Sequence, residues 1–364
     1  MPILIYQADY KYSIAEPKKD VYQSKFATMS FAAASKDLLF PTSGTILVTG
    51  SNGHVASNII VEALALGFKV RGTVRNPDNL PVLEKLYNNS NYSSVVVKDF
   101  ITPGAFDEAV KGVDAILLTA TPLPGPADPN DIVPQTIAYA IGVAKSALAA
   151  PTVKRIVWTG TIPIVFNPGV AYKQDRTTWA DDAVKAAWAP PPYTPDRAWV
   201  AYKAAKDEAE RALFDFAKKE NAHYTVNSVL PCVVFGRIIT KPSDGGTWPQ
   251  QILNGTAPAF GGNGQWYIDM IDVSRIHLAA VFDKTIVGER FIASAAKFDW
   301  NELIDTIQKI APSAKVAPHF PEPVNKDLGD NDVAPGAAAL KKWWGQASYK
   351  GLEQTLRENL AADL

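Results

Sequence analysis

The chain has 364 residues, enough for one large α/β domain or two smaller ones. Hydrophobic residues make up 47% and charged residues 20%, as in a soluble globular protein, and a net charge of −1 gives no electrostatic case for nucleic acid or an anionic membrane. The single cysteine, Cys232, excludes an internal disulfide and fits a reducing compartment, so a cytoplasmic location is expected. The four histidines, His54, His223, His277 and His319, show no paired metal-ligand spacing, and no apolar run approaches the roughly 20 residues of a membrane span.

Residues 1–40 precede the first strand. They carry Tyr6, Tyr10, Tyr12 and Tyr22 among mixed charges and no apolar signal-peptide core, and Asp9, Glu16 and Asp20 argue against a transit peptide. The segment reads equally as an ordered arm or a flexible extension, and Met29 is a possible alternative start. Thr45–Ile60 (TILVTGSNGHVASNII) is the organising stretch. An apolar run leads into Gly50, with Gly53 and Ala56 at three-residue steps, and the apolar period of Val55, Ile59, Ile60, Ala63 and Leu64 follows. This is a strand, a tight turn and a helix start. Glycines let backbone approach a pyrophosphate, and free N–H groups with the helix dipole attract it.

The helix should stop at Gly67, and Lys69–Val74 should be the second strand. About twenty residues past the middle glycine, an NAD-preferring chain usually carries an acid for the ribose 2′-hydroxyl. Val74 stands there, followed by Arg75, whose guanidinium suits a 2′-phosphate; Arg71 is nearby. The reading favours NADP(H). Next come a helix over Asn79–Tyr87, a strand over Ser94–Lys98 ending in Asp99 and Phe100, which suit an adenine ring, and a short helix over Phe106–Lys111. Ala115–Thr119 is the fourth strand, closing in Ala120-Thr121-Pro122; a Pro-rich loop (Leu123–Asn130) and a helix over Ile132–Ala149 follow. Arg155–Trp158 is the fifth strand, closing in Thr159-Gly160-Thr161.

Five alternations of strand and helix predict an α/β, Rossmann-type doubly wound parallel sheet. Ile162–Asp196 is irregular, and Ala198–Lys219 is the strongest helix in the chain, rich in Ala, Lys and Glu. Tyr224–Val229 is the sixth strand. Beyond Gly236 the order loosens: Thr240–Gly264 reads as irregular, Gln265–Ile271 as a strand, Val273–Phe282 as a helix, Glu289–Ala293 as a strand, Trp300–Ile310 and Ala338–Ala362 as helices. The expected organisation is an extension over 1–40, a cofactor domain over 41–236 with its sheet completed by parts of 265–296, and a smaller C-terminal substrate-binding lobe over 237–364.

Tyr202 and Lys206 stand four apart on the long helix and share a face. Tyr-x-x-x-Lys alone means little in a chain with 13 tyrosines. Its place after a phosphate turn and after a strand ending in Thr159 and Thr161 is what gives it weight. With TGSNGHVAS (49–57), KVRGTVR (69–75), VKRIVWTGT (153–161), YKAAK (202–206), LPCVVFG (230–236) and FDWNELIDTIQKI (298–310), the chain from Thr45 onward resembles the extended short-chain dehydrogenase/reductases. Within them it is most similar to the dihydroflavonol-reductase-like group and its fungal and yeast NADPH-dependent aldehyde and ketone reductases.

The resemblance implies that Tyr202 is the catalytic tyrosine, Lys206 the lysine, and Thr161 the hydroxyl donor where a serine is usual. Gly160 also replaces a commoner serine, and Ala56 replaces the third glycine, which the group tolerates. The cofactor-binding set expected from the turn and the resemblance together is Gly50, Asn52, Gly53, His54, Val55, Arg75, Asp99, Phe100, Ala120, Thr121, Thr159, Tyr202, Lys206, Pro231 and Val233. Lys206 is expected to lower the Tyr202 pKa, so that Tyr202 can pass a proton to a carbonyl oxygen. Wall candidates are Leu123, Pro124, the stretch Phe166 to Tyr193, Trp248 and Trp266, whose aromatic content suggests a small apolar or aromatic aldehyde or ketone. His277 is expected to be structural. No nucleic-acid or membrane partner is expected, and the chain should be a monomer or homodimer. Two other readings stand beside this one: an NAD-dependent sugar-nucleotide epimerase or dehydratase, which Val74 and Arg75 contradict, and a cofactor-sensing protein with impaired catalysis.

Overall fold

The computed structural model describes residues 25–121, 125–164, 170–258, 261–322 and 326–364. The expected wall residues Leu123, Pro124 and Phe166 lie outside these residues, as does Pro122. Within the N-terminal segment runs α1 (Lys25–Ala34). Then come β1 (Thr45–Val48), α2 (His54–Ala65), β2 (Lys69–Val74), α3 (Asn79–Tyr87), β3 (Tyr92–Val96), β4 (Ala115–Leu118), α4 (Pro129–Leu148) and β5 (Arg155–Thr159). The middle of the chain holds β6 (Lys173–Gln174), α5 (Asp181–Ala187), α6 (Ala198–Lys219) and β7 (Thr225–Pro231). After it follow β8 (Val233–Phe235), α7 (Asp244–Leu253), β9 (Gln265–Asp269), α8 (Met270–Phe282), β10 (Arg290–Ala293), β11 (Ala296–Phe298), α9 (Trp300–Ile310), β12 (Asp330–Asn331), α10 (Ala334–Trp344) and α11 (Leu352–Asn359).

Seven strands form one parallel sheet in the order β3-β2-β1-β4-β5-β7-β10. The order reverses between β1 and β4, where a doubly wound sheet opens a crevice at the carboxyl ends of its strands. β1, β4 and β5 are buried almost throughout, as a sheet covered on both faces requires. One face packs against α2, α3, α8 and α10, with Phe68 stacked on Phe282 at 5.4 Å and Trp343 edge-on to Phe282 at 4.6 Å. The other face packs against α4 and α6 around Trp158 and Tyr139. The 237–364 region therefore supplies both the last strand of the main sheet and two of its covering helices, the second tied down by Trp343 Nε1 donating to Asp283 at 2.8 Å.

A second layer, the sheet β11-β9-β8 with α7, α9 and α11, encloses its own core of Phe235, Trp248, Phe298, Trp300 and Leu356. Asp269 and Asp299 cap α8 and α9 by accepting from backbone N–H groups of their first turns. A third, two-stranded piece pairs β12 with β6.

Several expectations shift. Phe106–Lys111 forms successive turns rather than a helix, and Phe106 and Val110 are buried against α4 all the same. β3 sits two residues earlier than expected because its pairing with β2 begins at Tyr92. α7 forms within the stretch read as irregular, despite Gly245, Gly246 and Pro249, because Trp248 and Ile252 bury one of its faces. The final helix is two helices, parted at Gly345, whose φ of +64° ends α10. Among the described residues, no helix is long and apolar enough to cross a membrane, and no group of three or more His, Cys, Asp or Glu could hold a metal.

Candidate active site

The glycine-rich turn connects β1 to α2 at the reversal point. Gly50 has a φ of +64°, and a Cβ there would lie 2.8 Å from that of Ala120 at the end of β4. Only glycine combines that backbone with that proximity. Side chains from neighbouring strands fix the turn. Thr73 Oγ1 accepts from Gly50 N at 3.1 Å, the Ser51 hydroxyl donates to Thr73 O at 3.0 Å, and Tyr87 OH donates to Ser51 O at 2.8 Å. Thr49 Oγ1 pairs with Tyr139 OH at 2.6 Å and accepts from Ala120 N. Gly53 is the N-cap of α2 in extended conformation. The N–H groups of Asn52, His54, Val55 and Ala56 have no acceptor among the described residues. A rigid turn with free donors at a helix start fits a dinucleotide pyrophosphate.

Arg75 follows β2, is exposed, and makes no hydrogen bond or ion pair among the described residues. Arg71 differs: its guanidinium donates to Ala109 O and Lys111 O at 2.8 and 2.7 Å, so it braces the turns after β3 and is not available as a second phosphate ligand. Asp99 is exposed and bonded to Ile101 N and Thr102 Oγ1, which holds its carboxyl below the usual range. Phe100 is half-buried and stacks on Tyr139 at 5.6 Å.

The catalytic candidates gather at the carboxyl ends of β4, β5 and β7. Lys206 is buried on α6. Its Nζ donates to Thr121 Oγ1 at 2.8 Å and to Thr159 O at 2.5 Å, and lies 4.6 Å from the centre of the Trp158 ring. Tyr202 is half-buried one turn earlier, edge-on to Trp199 at 5.9 Å. Thr161 lies past the end of β5; its hydroxyl reaches Pro231 O at a long 3.5 Å, and Ile162 N donates to the same carbonyl at 3.1 Å. The carboxyl end of β7 thus holds the residues just past β5. Val233 lies on β8, close to Gly245 of α7.

The electrostatics depart from expectation. Burial, with the Asp244 carboxylate adding to it, pushes the Tyr202 phenol up to about 12. Burial draws Lys206 down to about 7, against a smaller opposing pull from Glu210 one turn on. In the chain by itself, Lys206 therefore does not lower the Tyr202 pKa; its Nζ is engaged with Thr121 and Thr159. Desolvation outweighs the charge interaction on both groups.

Glycine at position 160 is packed closely by its neighbour. A Cβ there would lie 2.3 Å from Leu230 Cδ2 on β7. Thr159 turns its hydroxyl away from the crevice, to His277 Nε2 at 3.0 Å. His277 Nδ1 faces Val273 O at 2.7 Å, so Nδ1 carries the proton and Nε2 accepts from Thr159. His277 is fully buried and drawn down to about 4 by desolvation. Thr159 thus offers Lys206 its carbonyl and His277 its hydroxyl. His54 at the start of α2 is also drawn down to about 4 by burial. Its Nδ1 accepts from Ser243 N at 3.1 Å, which ties the turn to the residue before α7.

Of the aromatic wall candidates, Trp248 lies in the second core, 5.1 Å from Trp300, where it cannot line the crevice. Trp179 packs its ring against the guanidiniums of Arg290 and Arg211, at 3.6 and 4.3 Å. Trp266 is half-buried with Lys297 over its ring at 5.3 Å. The sequence reading missed Asp244 and Lys203. Both are ordinary surface-type residues in the sequence; in the fold Asp244, exposed at the start of α7, acts on Tyr202 through its charge, and Lys203 reaches the carbonyls of Ile162 and Pro163.

Residues 50–226 match the NAD(P)H-binding family. A ketoreductase of Penicillium roqueforti is 32% identical over 345 residues, 90% of this chain and 99% of the relative. An aldehyde reductase of Sporidiobolus salmonicolor is 29% identical, over 89% of this chain and 97% of its own. The solved structure of the yeast methylglyoxal/isovaleraldehyde reductase with NADPH shares the fold at a TM-score of 0.73 and 21% identity, covering 87% of this chain and 97% of that one. With its strand order, its glycine turn and these relatives, the chain belongs to the NAD(P)H-binding Rossmann family, alongside fungal proteins named as ketoreductases and aldehyde reductases.

Proposed function

We propose that the chain is an NADPH-dependent carbonyl reductase for a small apolar or aromatic aldehyde or ketone. The observation that carries this is the seating of Lys206 on Thr121 and Thr159, with Tyr202 one turn away on the same helix and Thr161 beyond the same strand end. Bound NADPH supplies the hydride. Tyr202 gives its proton to the carbonyl oxygen, and Thr161 donates a hydrogen bond that stabilises the developing alkoxide. The Thr161 methyl, absent from serine, narrows the space beside that oxygen. Lys206, with three donors and two protein partners, has a donor left for a ribose hydroxyl. The free donors of Asn52, His54, Val55 and Ala56 would hold the pyrophosphate, and unpaired Arg75 the 2′-phosphate. Asp99 and Phe100 would border the adenine, and Pro231 and Val233 the nicotinamide amide.

Tyr202→Phe should lower kcat by about 10³-fold while leaving NADPH binding intact, read from loss of cofactor absorbance with aromatic aldehydes and β-keto esters. Full activity in Tyr202→Phe would refute the mechanism. An NAD-dependent epimerase or dehydratase is disfavoured by Arg75 in place of an acid. Arg75→Ala should raise KM for NADPH by about 10- to 100-fold and barely change that for NADH, since hydrogen bonds to charged groups contribute about 1.5–3 kcal/mol. Equal loss with both cofactors would remove the 2′-phosphate assignment.

A further inference from the structure

Two lysines on α6 hold the backbone on either side of Thr161. Lys206 donates to Thr159 O at 2.5 Å, and Lys203, three residues earlier on the same face, donates to Ile162 O at 2.9 Å and Pro163 O at 3.5 Å. Lys203 is the unusual member. It stands beside Tyr202 on a half-buried part of the helix, and it has no carboxylate within ion-pair range among the described residues. Burial draws it down to about 7. A lysine that loses hydration without gaining a counter-charge costs stability unless carbonyl dipoles replace the water. Here they do, and they belong to the two residues that follow Thr161.

This stretch has reason to need an external hold. Gly160 precedes Thr161 and lacks the conformational restriction a side chain imposes. Among the described residues, the Thr161 hydroxyl makes only a 3.5 Å contact. What sets the direction of that hydroxyl is then the backbone beyond it, held by Ile162 N on Pro231 O, by Lys203, and by Ile164 N on the buried Gln174 at 3.1 Å.

We infer that Lys203 is a positioning residue which, by gripping the carbonyls of Ile162 and Pro163, aims the Thr161 hydroxyl at the substrate carbonyl oxygen. The inference rests on the carbonyl-reductase reading. Because Lys203 acts through Thr161, its effect disappears when the Thr161 hydroxyl is gone. A merely structural lysine would show no such dependence.

The test is a double-mutant cycle on the full chain with NADPH and benzaldehyde, comparing wild type, Lys203→Met, Thr161→Ala and the double variant. Thr161→Ala should lower kcat by about 100-fold, the loss typical of one oxyanion donor. Lys203→Met should lower kcat by about 10-fold or more through misalignment, with KM for NADPH within about twofold of wild type. The double variant should match Thr161→Ala within about twofold. Multiplication of the two losses overturns the inference, as does an unchanged kcat in Lys203→Met. If Lys203→Met does not fold, Lys203→Arg decides: it keeps the donors, so a kcat within about threefold of wild type that becomes silent on Thr161→Ala supports the grip, and a loss that persists on Thr161→Ala overturns it. Wild-type protein that binds NADPH but reduces no carbonyl overturns the functional reading as well, whereas a wild type that turns over while the cycle is multiplicative overturns the positioning role alone.

Discussion

The two backbone corners that build the site are secured in different ways. The Gly50 turn is fixed by neutral hydroxyls: those of Thr49 and Ser51 in the turn itself, of Thr73 on β2, of Tyr87 on α3 and of Tyr139 on α4. The Thr159–Pro163 corner is fixed by two lysines reaching across from α6, with a buried histidine behind it. Neutral tethers do not titrate near pH 7 and leave the turn pre-shaped for an anion. The cationic tethers lie in a desolvated place that draws both lysines well below the usual range, and on the proposed reading they stand beside the carbonyl to be reduced. On the proposed reading, binding and chemistry fall to corners of different electrostatic character, after β1 and β5, with β4 between them.

The largest break in this comparison should come at the first corner. Gly50→Ala requires an L-residue at a φ of +64° with its Cβ 2.8 Å from the Ala120 Cβ. Left-handed backbone costs about 1–2 kcal/mol and the overlap adds to it, so NADPH affinity should fall by about 30-fold or more in a fluorescence titration. Unaltered affinity would mean that the turn is not rigid.

The second corner should respond to pH through His277. Its folded pKa, about 4, lies below the roughly 6.5 of an unfolded histidine. Between those values the unfolded chain binds the extra proton, so stability rises with pH and is lost as pH falls from 6.5 toward 4. The loss attributable to His277 should reach about 3 kcal/mol, and His277→Asn should flatten the dependence of Tm on pH across that window by about one proton. His54, drawn down to the same value at the first corner, leaves a residual slope. If His277→Asn leaves the slope intact, the buried Thr159–His277 pair does not carry it.

The smallest effect sharpens the comparison. Gly160→Ser should cost about 1–3 kcal/mol by overpacking against Leu230, measured as a lower denaturation midpoint, and Leu230→Val in the same chain should recover part of it. A serine accommodated without loss would show that the corner has slack, and would weaken the case that its geometry is tightly held.

Much of the cofactor half was legible in the sequence because it rests on local requirements. A run of β-branched residues ahead of Gly50 and a helical period after Gly53 announce strand, turn and helix within twenty residues, and the long α6 announces itself by composition. The region beyond Gly236 was not. α7 carries two glycines and a proline and holds its shape only because Trp248 and Ile252 are buried against the second core. Trp248 looked like a wall residue for the same reason that it is a core residue, its size and apolarity. Arg71 and Arg75 are indistinguishable by type; Arg71 lies within β2 and reaches the carbonyls of Ala109 and Lys111, whereas Arg75 lies just past the strand's end, exposed and without a partner among the described residues.

The sequence by itself determined the class of ligand, the alternation of strand and helix that builds a doubly wound sheet, and the shared helix face of Tyr202 and Lys206, since these depend on spacing along one strand, one turn or one helix. Tertiary structure alone decided the charge states and the supporting contacts. Lys206 and Tyr202 are displaced in opposite directions because segments far away in sequence shield both from water, Lys206 the more fully, and desolvation depends on every neighbour that excludes solvent. The grip of Lys203 on the backbone beyond Thr161 joins positions forty residues apart, and it exists only where α6 lies across the end of β5.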